Sequence, residues 1–171
     1  MTRVQPRRVQ RVEVPAQIAD SAEYSTANYA AAWALTTEAA EQRTALQWAR
    51  AVFEDAPVVI RWCIIFGWTR VLGLQLGPRT SDDHVLGWAV SDGDLEADST
   101  ALTAASRLLR ASNIVTVESS RVTWVTLVHY SHAAARPLWA LARTVHHLTI
   151  RFLLARAGAP TRVASPSGRA A

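Results

Sequence analysis

Five histidines (His84, His129, His132, His146 and His147), one cysteine and fourteen carboxylates are the groups able to do acid–base, nucleophilic or metal chemistry in this chain. Their spacing suits none of these well. The nearest histidine pairs are His129/His132 and His146/His147, and neither has a chelating spacing such as HExxH. Neighbouring helical residues diverge by about a hundred degrees at 3.6 residues per turn, so His146 and His147 make a poor chelate on one helix. His146 then reads as a packed or capping residue and His147 as a solvated one. Asp82-Asp83 and Asp92/Asp94 fall in turn-like stretches, where Asp bends the backbone. Nothing in their pattern makes them a converging acid–base pair. Ser131 precedes His132, but there is no GxSxG elbow and no glycine-rich phosphate loop. Cys63 sits in an apolar run and reads as a small buried hydrophobe; as the only cysteine it forms no intrachain disulfide. The residues predict no metal and no cofactor.

Seven tryptophans, against three Phe and three Tyr, put most of the aromatic volume into indoles. An indole combines large apolar area with one N–H donor, which suits both a core and the wall of a pocket. Trp88 and Trp124 fall on predicted strands and are the better pocket candidates, with Tyr130 at the rim. Strand alternation sets Trp124, Val128 and Tyr130 on one face and Val125, Leu127 and His129 on the other. Both faces are largely apolar, so alternation leaves the inner one unassigned.

The elements that must position these groups are clearest near the C-terminus. Val122 to Tyr130 is rich in Val, Trp, Thr and Tyr, as a half-buried strand requires. After a turn at Ser131-His132 the period changes. Leu138, Leu141, Val145, Leu148 and Phe152 recur at steps of three and four, predicting a helix that lays this stripe on a sheet and leaves Arg143, His147 and Arg151 in water. Earlier, Thr44 and Gln47 form a capping box for a helix whose buried face is Leu46, Ala49, Val52 and Phe53. Pro57 separates it from a second, very apolar helix over Val58 to Leu72. Asn28 to Thr36 suits a helix by its alanines and a strand equally. Strands are predicted over His84 to Val90, Leu95 to Ala104 and Leu108 to Val117, with turns at Ser81-Asp82-Asp83, Asp92-Gly93 and Ser119-Ser120.

Two stretches carry a family resemblance. Gln47-Trp48-Ala49-Arg50-Ala51-Val52-Phe53-Glu54 is one; Arg136, Leu141, Arg143, His146, Leu148 and Arg151, after a Val/Thr-rich strand, are the other. Together they resemble an uncharacterised bacterial family within the START-like, helix-grip superfamily, which includes polyketide cyclase and dehydrase-like proteins. Ala135 stands where that pattern usually has Gly, and Thr144 where it has Pro. The resemblance implies that Asn28 to Thr36 is a strand and that the fold is α+β: a curved antiparallel sheet wrapped around a long C-terminal helix, with two shorter helices after the first strand. It implies no enzymatic activity. The expected organisation is a flexible stretch over residues 1–11, one domain over 12–157 and a disordered Pro/Gly/Ser/Ala-rich tail over 158–171.

Composition narrows the partners. Half the residues are apolar, which excludes global disorder. The net charge is +4, and all 18 basic residues are arginines. Total absence of Lys points to coding bias rather than to nucleic acid. No basic-aromatic cluster, helix-turn-helix or zinc-finger spacing supports a nucleic-acid partner. Val58 to Leu76 has the length of a membrane span but contains Arg61 and Arg70, so a helix packed in a globular core is expected. Trp62 and Trp68 would suit a membrane surface as a minor alternative. The N-terminus lacks an apolar signal core, and a cytoplasmic setting is expected.

On the helix-grip layout, the expected function is binding of a hydrophobic small molecule, such as a lipid, polyketide or aromatic metabolite, in an apolar cavity. Trp88, Trp124, Val128, Tyr130, Leu141 and Val145 would line it. One alternative is a cyclase- or dehydratase-like enzyme using a pocket His or Asp, with His129 or His132 moving a proton. Another is a structural or peripheral-membrane protein without a ligand.

Overall fold

A computed structural model describes residues 8–91 and 98–159. The chain runs β1 (Val9–Val12), α1 (Ala16–Ala19), α2 (Ala22–Thr26), β2 (Tyr29–Thr36), α3 (Ala45–Phe53) and α4 (Val58–Phe66). A π-helical turn (Gly67–Val71) follows, then β3 (His84–Val85), β4 (Trp88–Ser91), β5 (Ser99–Ala105), β6 (Leu109–Glu118), β7 (Arg121–Tyr130) and α5 (Ala135–Ala157). The seven strands form one curved antiparallel sheet in the order β1-β2-β7-β6-β5-β4-β3. Strand β2, two helices, a meander and the long α5 make up the expected helix-grip arrangement, and Asn28 to Thr36 resolves as a strand.

The sheet has an apolar layer on each side. On the inner face, Trp33, Leu35, Leu109, Val115, Val122, Trp124 and Val128 pack against residues of α3, α4 and α5 in one large cluster. On the outer face, Ala101, Ile114, Val125 and Leu127 are covered by Ile18 of α1, with Tyr24 of α2 alongside. The alternation predicted for β7 therefore holds, and the Trp124/Val128 side is the inner one. Helix α3 begins as the capping box requires: Gln47 N–H donates to Thr44 Oγ1 at 3.2 Å, and Thr44 N–H donates to Gln47 Oε1 at 2.9 Å. Trp48 is fixed beneath it by donating from Nε1 to the Ala40 carbonyl at 2.9 Å.

The buried face of α5 is not the expected one. Leu141 is 77% and Leu148 63% exposed, and Val145 and Phe152 are exposed as well. The sheet is met instead by Ala135, Trp139, Ile150, Leu153 and Leu154, with Leu138 and Ala142 beside them. A long helix can carry two apolar stripes, and only packing decides which is covered. Arg143 and Arg151 stay exposed as expected, whereas His147 is half-buried.

Helix α4 departs similarly. Its α-helical part ends at Phe66, only Ile65 is buried, and Val58, Val59, Trp62 and Phe66 are exposed. It is not a core helix. Cys63 is exposed rather than buried.

Smaller corrections concern boundaries. Val9 to Arg11, expected to be flexible, belongs to β1, where Val9 pairs with Leu35 and Arg11 with Trp33. Helices α1 and α2 were not anticipated; Ser21 caps α2 by accepting from Tyr24 N–H at 3.1 Å. The stretch His84 to Val90 is two strands joined by a turn at Leu86 (φ 48°) and Gly87 (φ 91°). The Asp92-Gly93 turn and the start of the Leu95 strand lie outside the described residues, as does most of the predicted tail. Gly158, assigned to that tail, is buried where α5 ends and packs on Leu35.

Candidate ligand-binding cavity

Because α4 and the Leu141/Leu148 face of α5 do not close on each other, a half-open apolar cavity of about 580 Å³ remains between them and the sheet. Ile60, Cys63, Ile64, Gly67, Trp68 and Val71 form the wall from α4 and the π-helical turn. Leu141, Ala142, Val145, His146, Leu148 and Phe152 form the wall from α5, with Trp139 and Leu153 deeper in. Phe53, Trp88, Asn113 and Thr126 complete the lining from α3 and the sheet. Its volume lies in the range typical of small-molecule sites, and so does its character, mostly apolar with a few polar groups.

Those polar groups come from positions where apolar patterning is interrupted. Asn113 occupies an inner-face position of β6, between Ala111 and Val115 along the alternation, and is buried. A buried amide is costly unless its groups are paired. Its Oδ1 accepts from Trp124 Nε1 at 3.0 Å and from Thr126 Oγ1 at 2.8 Å. That oxygen is thereby used, and the amide presents its N–H donors. Trp124 is fully buried, does not line the cavity and stacks edge-on against Phe53 at 5.1 Å. Phe53 also meets Trp68 at 5.0 Å, and Trp68 meets Trp88 at 5.3 Å, so the floor is an aromatic cluster.

Three buried nitrogens of lining residues have no hydrogen-bond partner: Trp88 Nε1, Trp139 Nε1 and His146 Nε2. Two are obligate donors. Burial, reinforced by the neighbouring His147, lowers the His146 pKa from 6.5 to about 4, so its imidazole is neutral at pH 7. Among the described residues, no carboxylate lines the cavity. A proton taken by His146 would therefore find no acidic partner there.

On the other side of α5 lies a more polar recess of about 450 Å³, lined by Asn28, Tyr29, Tyr130, Arg136, Trp139, Ala140 and Arg143. Here the Tyr29 hydroxyl hydrogen-bonds His147 Nε2. Burial raises the Tyr29 pKa, opposed by the Arg11 and Arg143 charges, and burial with the same two arginines lowers that of His147. Burial likewise raises the Tyr130 pKa, opposed by Arg136 and Arg143.

Of the residues expected to line an apolar cavity, Trp88, Leu141 and Val145 line this one. Trp124 stands behind Asn113, Val128 is core, and Tyr130 faces the polar recess. His129 lies on the outer face and donates from Nε2 to the Glu23 carbonyl at 2.9 Å, and His132 Nδ1 accepts from Ala134 N–H at 3.1 Å. Neither lines the cavity, so the proton-moving roles considered for them have no support in the geometry. Sequence reasoning missed His146 and Asn113; a polar residue amid inward-facing apolar ones was the available signal for Asn113. Among the described residues, no group of three or more His, Cys, Asp or Glu is placed to hold a metal ion. No helix among them is long and apolar enough to cross a membrane. No family model, curated protein or solved structure matches the chain.

Proposed function

We propose that this protein binds an apolar small molecule, of the lipid, polyketide or aromatic-metabolite kind, in the cavity between α4, α5 and the inner sheet face. The observation that carries the reading is an apolar space of about 580 Å³, lined mainly by aliphatic and aromatic side chains with a few polar groups. A carbonyl, ether or carboxyl oxygen on an otherwise apolar skeleton would accept from the Asn113 amide, whose own oxygen is already used. Binding is favoured over catalysis because, among the described residues, the lining offers one neutral imidazole and no carboxylate to work with it.

Gly67 supplies the test. It lines the cavity, and a side chain there would begin in open space, with nothing within 4 Å of its Cβ. Gly67→Phe should therefore fold at least as well as the parent, since glycine is a poor helix former, while obstructing the site. Fatty acids, aromatic polyketides and their apolar analogues would be titrated against intrinsic Trp emission and the melting temperature. A saturable response in the parent, weakened about tenfold or more in Gly67→Phe, is expected, because a ligand that binds only the native state raises its stability. A full panel without any saturable response would overturn the reading.

A further inference from the structure

We infer that the face carrying the cavity mouth docks on an anionic lipid bilayer. Leu141, Val145, Leu148 and Phe152 on α5 and Val71 of the π-helical turn line the opening and are exposed, and on α4 Val59, Trp62 and Phe66, which do not line the cavity, are 73%, 62% and 62% exposed. Scattered exposed apolar residues are ordinary, but two helices that frame one opening and both turn large apolar side chains to solvent form an interaction face. The chemistry around that face selects its occupant. Val58–Val71 and Ala135–Ala157 contain not one Asp or Glu, although the whole chain has 14 carboxylates; α4 and its π-helical turn carry Arg61 and Arg70 and the end of α5 carries Arg156, while Arg136 and Arg143 turn to the polar recess and Arg151 lies over Trp33. Arg79 adds a guanidinium 5.9 Å from the Trp62 ring centre.

A second copy of the chain fits this face badly. A two-fold interface would set the same arginines against each other with no carboxylate on either helix. An anionic bilayer offers apolar depth for Val59, Trp62 and Phe66 and phosphate at the level where arginine side chains reach outward. An indole is also at home at the boundary between lipid and water. The docking stands on the exposed face alone. Its corollary, that a ligand passes between bilayer and cavity without crossing water, rests on the function proposed above.

Vesicle co-sedimentation decides it, using phosphatidylcholine vesicles with and without about a third phosphatidylglycerol at about 0.1 M salt. The full chain should partition onto the anionic vesicles about tenfold or more better than onto the zwitterionic ones. Trp62→Ser with Phe66→Ser should abolish most of that partitioning while leaving the melting temperature unchanged, because both side chains are exposed. Gly67→Phe should still dock. Equal binding to both vesicle types, no binding to either, or a parent dimer in light scattering that the double variant converts to monomer would overturn the inference. Vesicle binding without any ligand response would leave the docking standing and remove the ligand reading; ligand binding without vesicle binding would do the reverse.

Discussion

Acidification should destabilise this protein most strongly through His146, with the half-buried His147 acting in the same direction. The His146 imidazole faces Trp139 at 5.5 Å and His147 at 6.1 Å, and its Nε2 is shut off from water without a partner. Burial holds its pKa at about 4, against 6.5 in the unfolded chain. Because the folded value is depressed, the unfolded state binds the proton first. Stability is full above the unfolded pKa and falls as the pH drops from about 6.5 towards about 4. At 1.36 kcal/mol per pKa unit the whole window corresponds to on the order of 3 kcal/mol, of which about 2 kcal/mol is lost by pH 5. Urea denaturation at about pH 7.5 and about pH 5, on the parent and on His146→Leu, isolates it. Carboxylates outside the site and His147 are present in both proteins and largely cancel in the difference. The variant should lose about 2 kcal/mol less than the parent between the two conditions. Equal losses would mean that His146 titrates freely in the folded state, and the account of a neutral imidazole with a buried Nε2 would be wrong.

Two further outcomes test the packing. Leu153→Ala should cost about 2–5 kcal/mol in chemical denaturation, whereas Leu148→Ala should stay within about 0.5 kcal/mol, because the first is buried against the sheet and the second is open to solvent. The opposite order would restore the Leu141/Leu148 stripe as the buried face. Gly87→Ala should lower the melting temperature by several degrees, since Gly87 has φ 91° and an added Cβ would lie 2.9 Å from Leu76 Cβ and 3.1 Å from the Gly77 carbonyl oxygen. An unchanged midpoint would show that the β3–β4 turn relaxes freely.

Local chemistry was legible wherever one signal pointed to one outcome. The Thr44/Gln47 capping box, the Val/Trp/Thr-rich β7 and the Ser119-Ser120 turn are all realised as the residues indicate. The helix-grip order follows from such elements only with the family resemblance, which makes Asn28 to Thr36 a strand where its alanines suit a helix as well. What failed was the choice between competing apolar surfaces. Helix α5 carries a stripe of long aliphatics and a second stripe in which Trp139, Ile150, Leu153 and Leu154 are interrupted by His146. Periodicity detects both but cannot say which one the sheet takes, and the histidine disguised the correct one. The same limit hides the exposure of Cys63, for an apolar run reads as buried although α4 packs mainly through Ile65 with Ile60 and Ile64. The site inherited the error: Leu141 and Val145 were placed in it as parts of the buried stripe, yet they line it from the side of α5 turned away from the sheet.

Strand β2 lies between β1 and β7, with Trp33 opposite Trp124 and Ala32 opposite Val125. During synthesis, the segment Tyr29–Thr36 leaves the ribosome long before the strand that completes its hydrogen bonding exists. At about 5–20 residues per second, the wait from Thr36 to Tyr130 lasts roughly 5–20 s. Through that interval an apolar strand can pair with β1 but not with β7, and the C-terminal meander must close on it from a distance. Loop-closure entropy makes such a pairing slow. The nascent chain therefore spends its most aggregation-prone period with β2 open along one edge, and a holdase that shields an extended Ala-Ala-Ala-Trp-Ala-Leu segment would act on it at that stage.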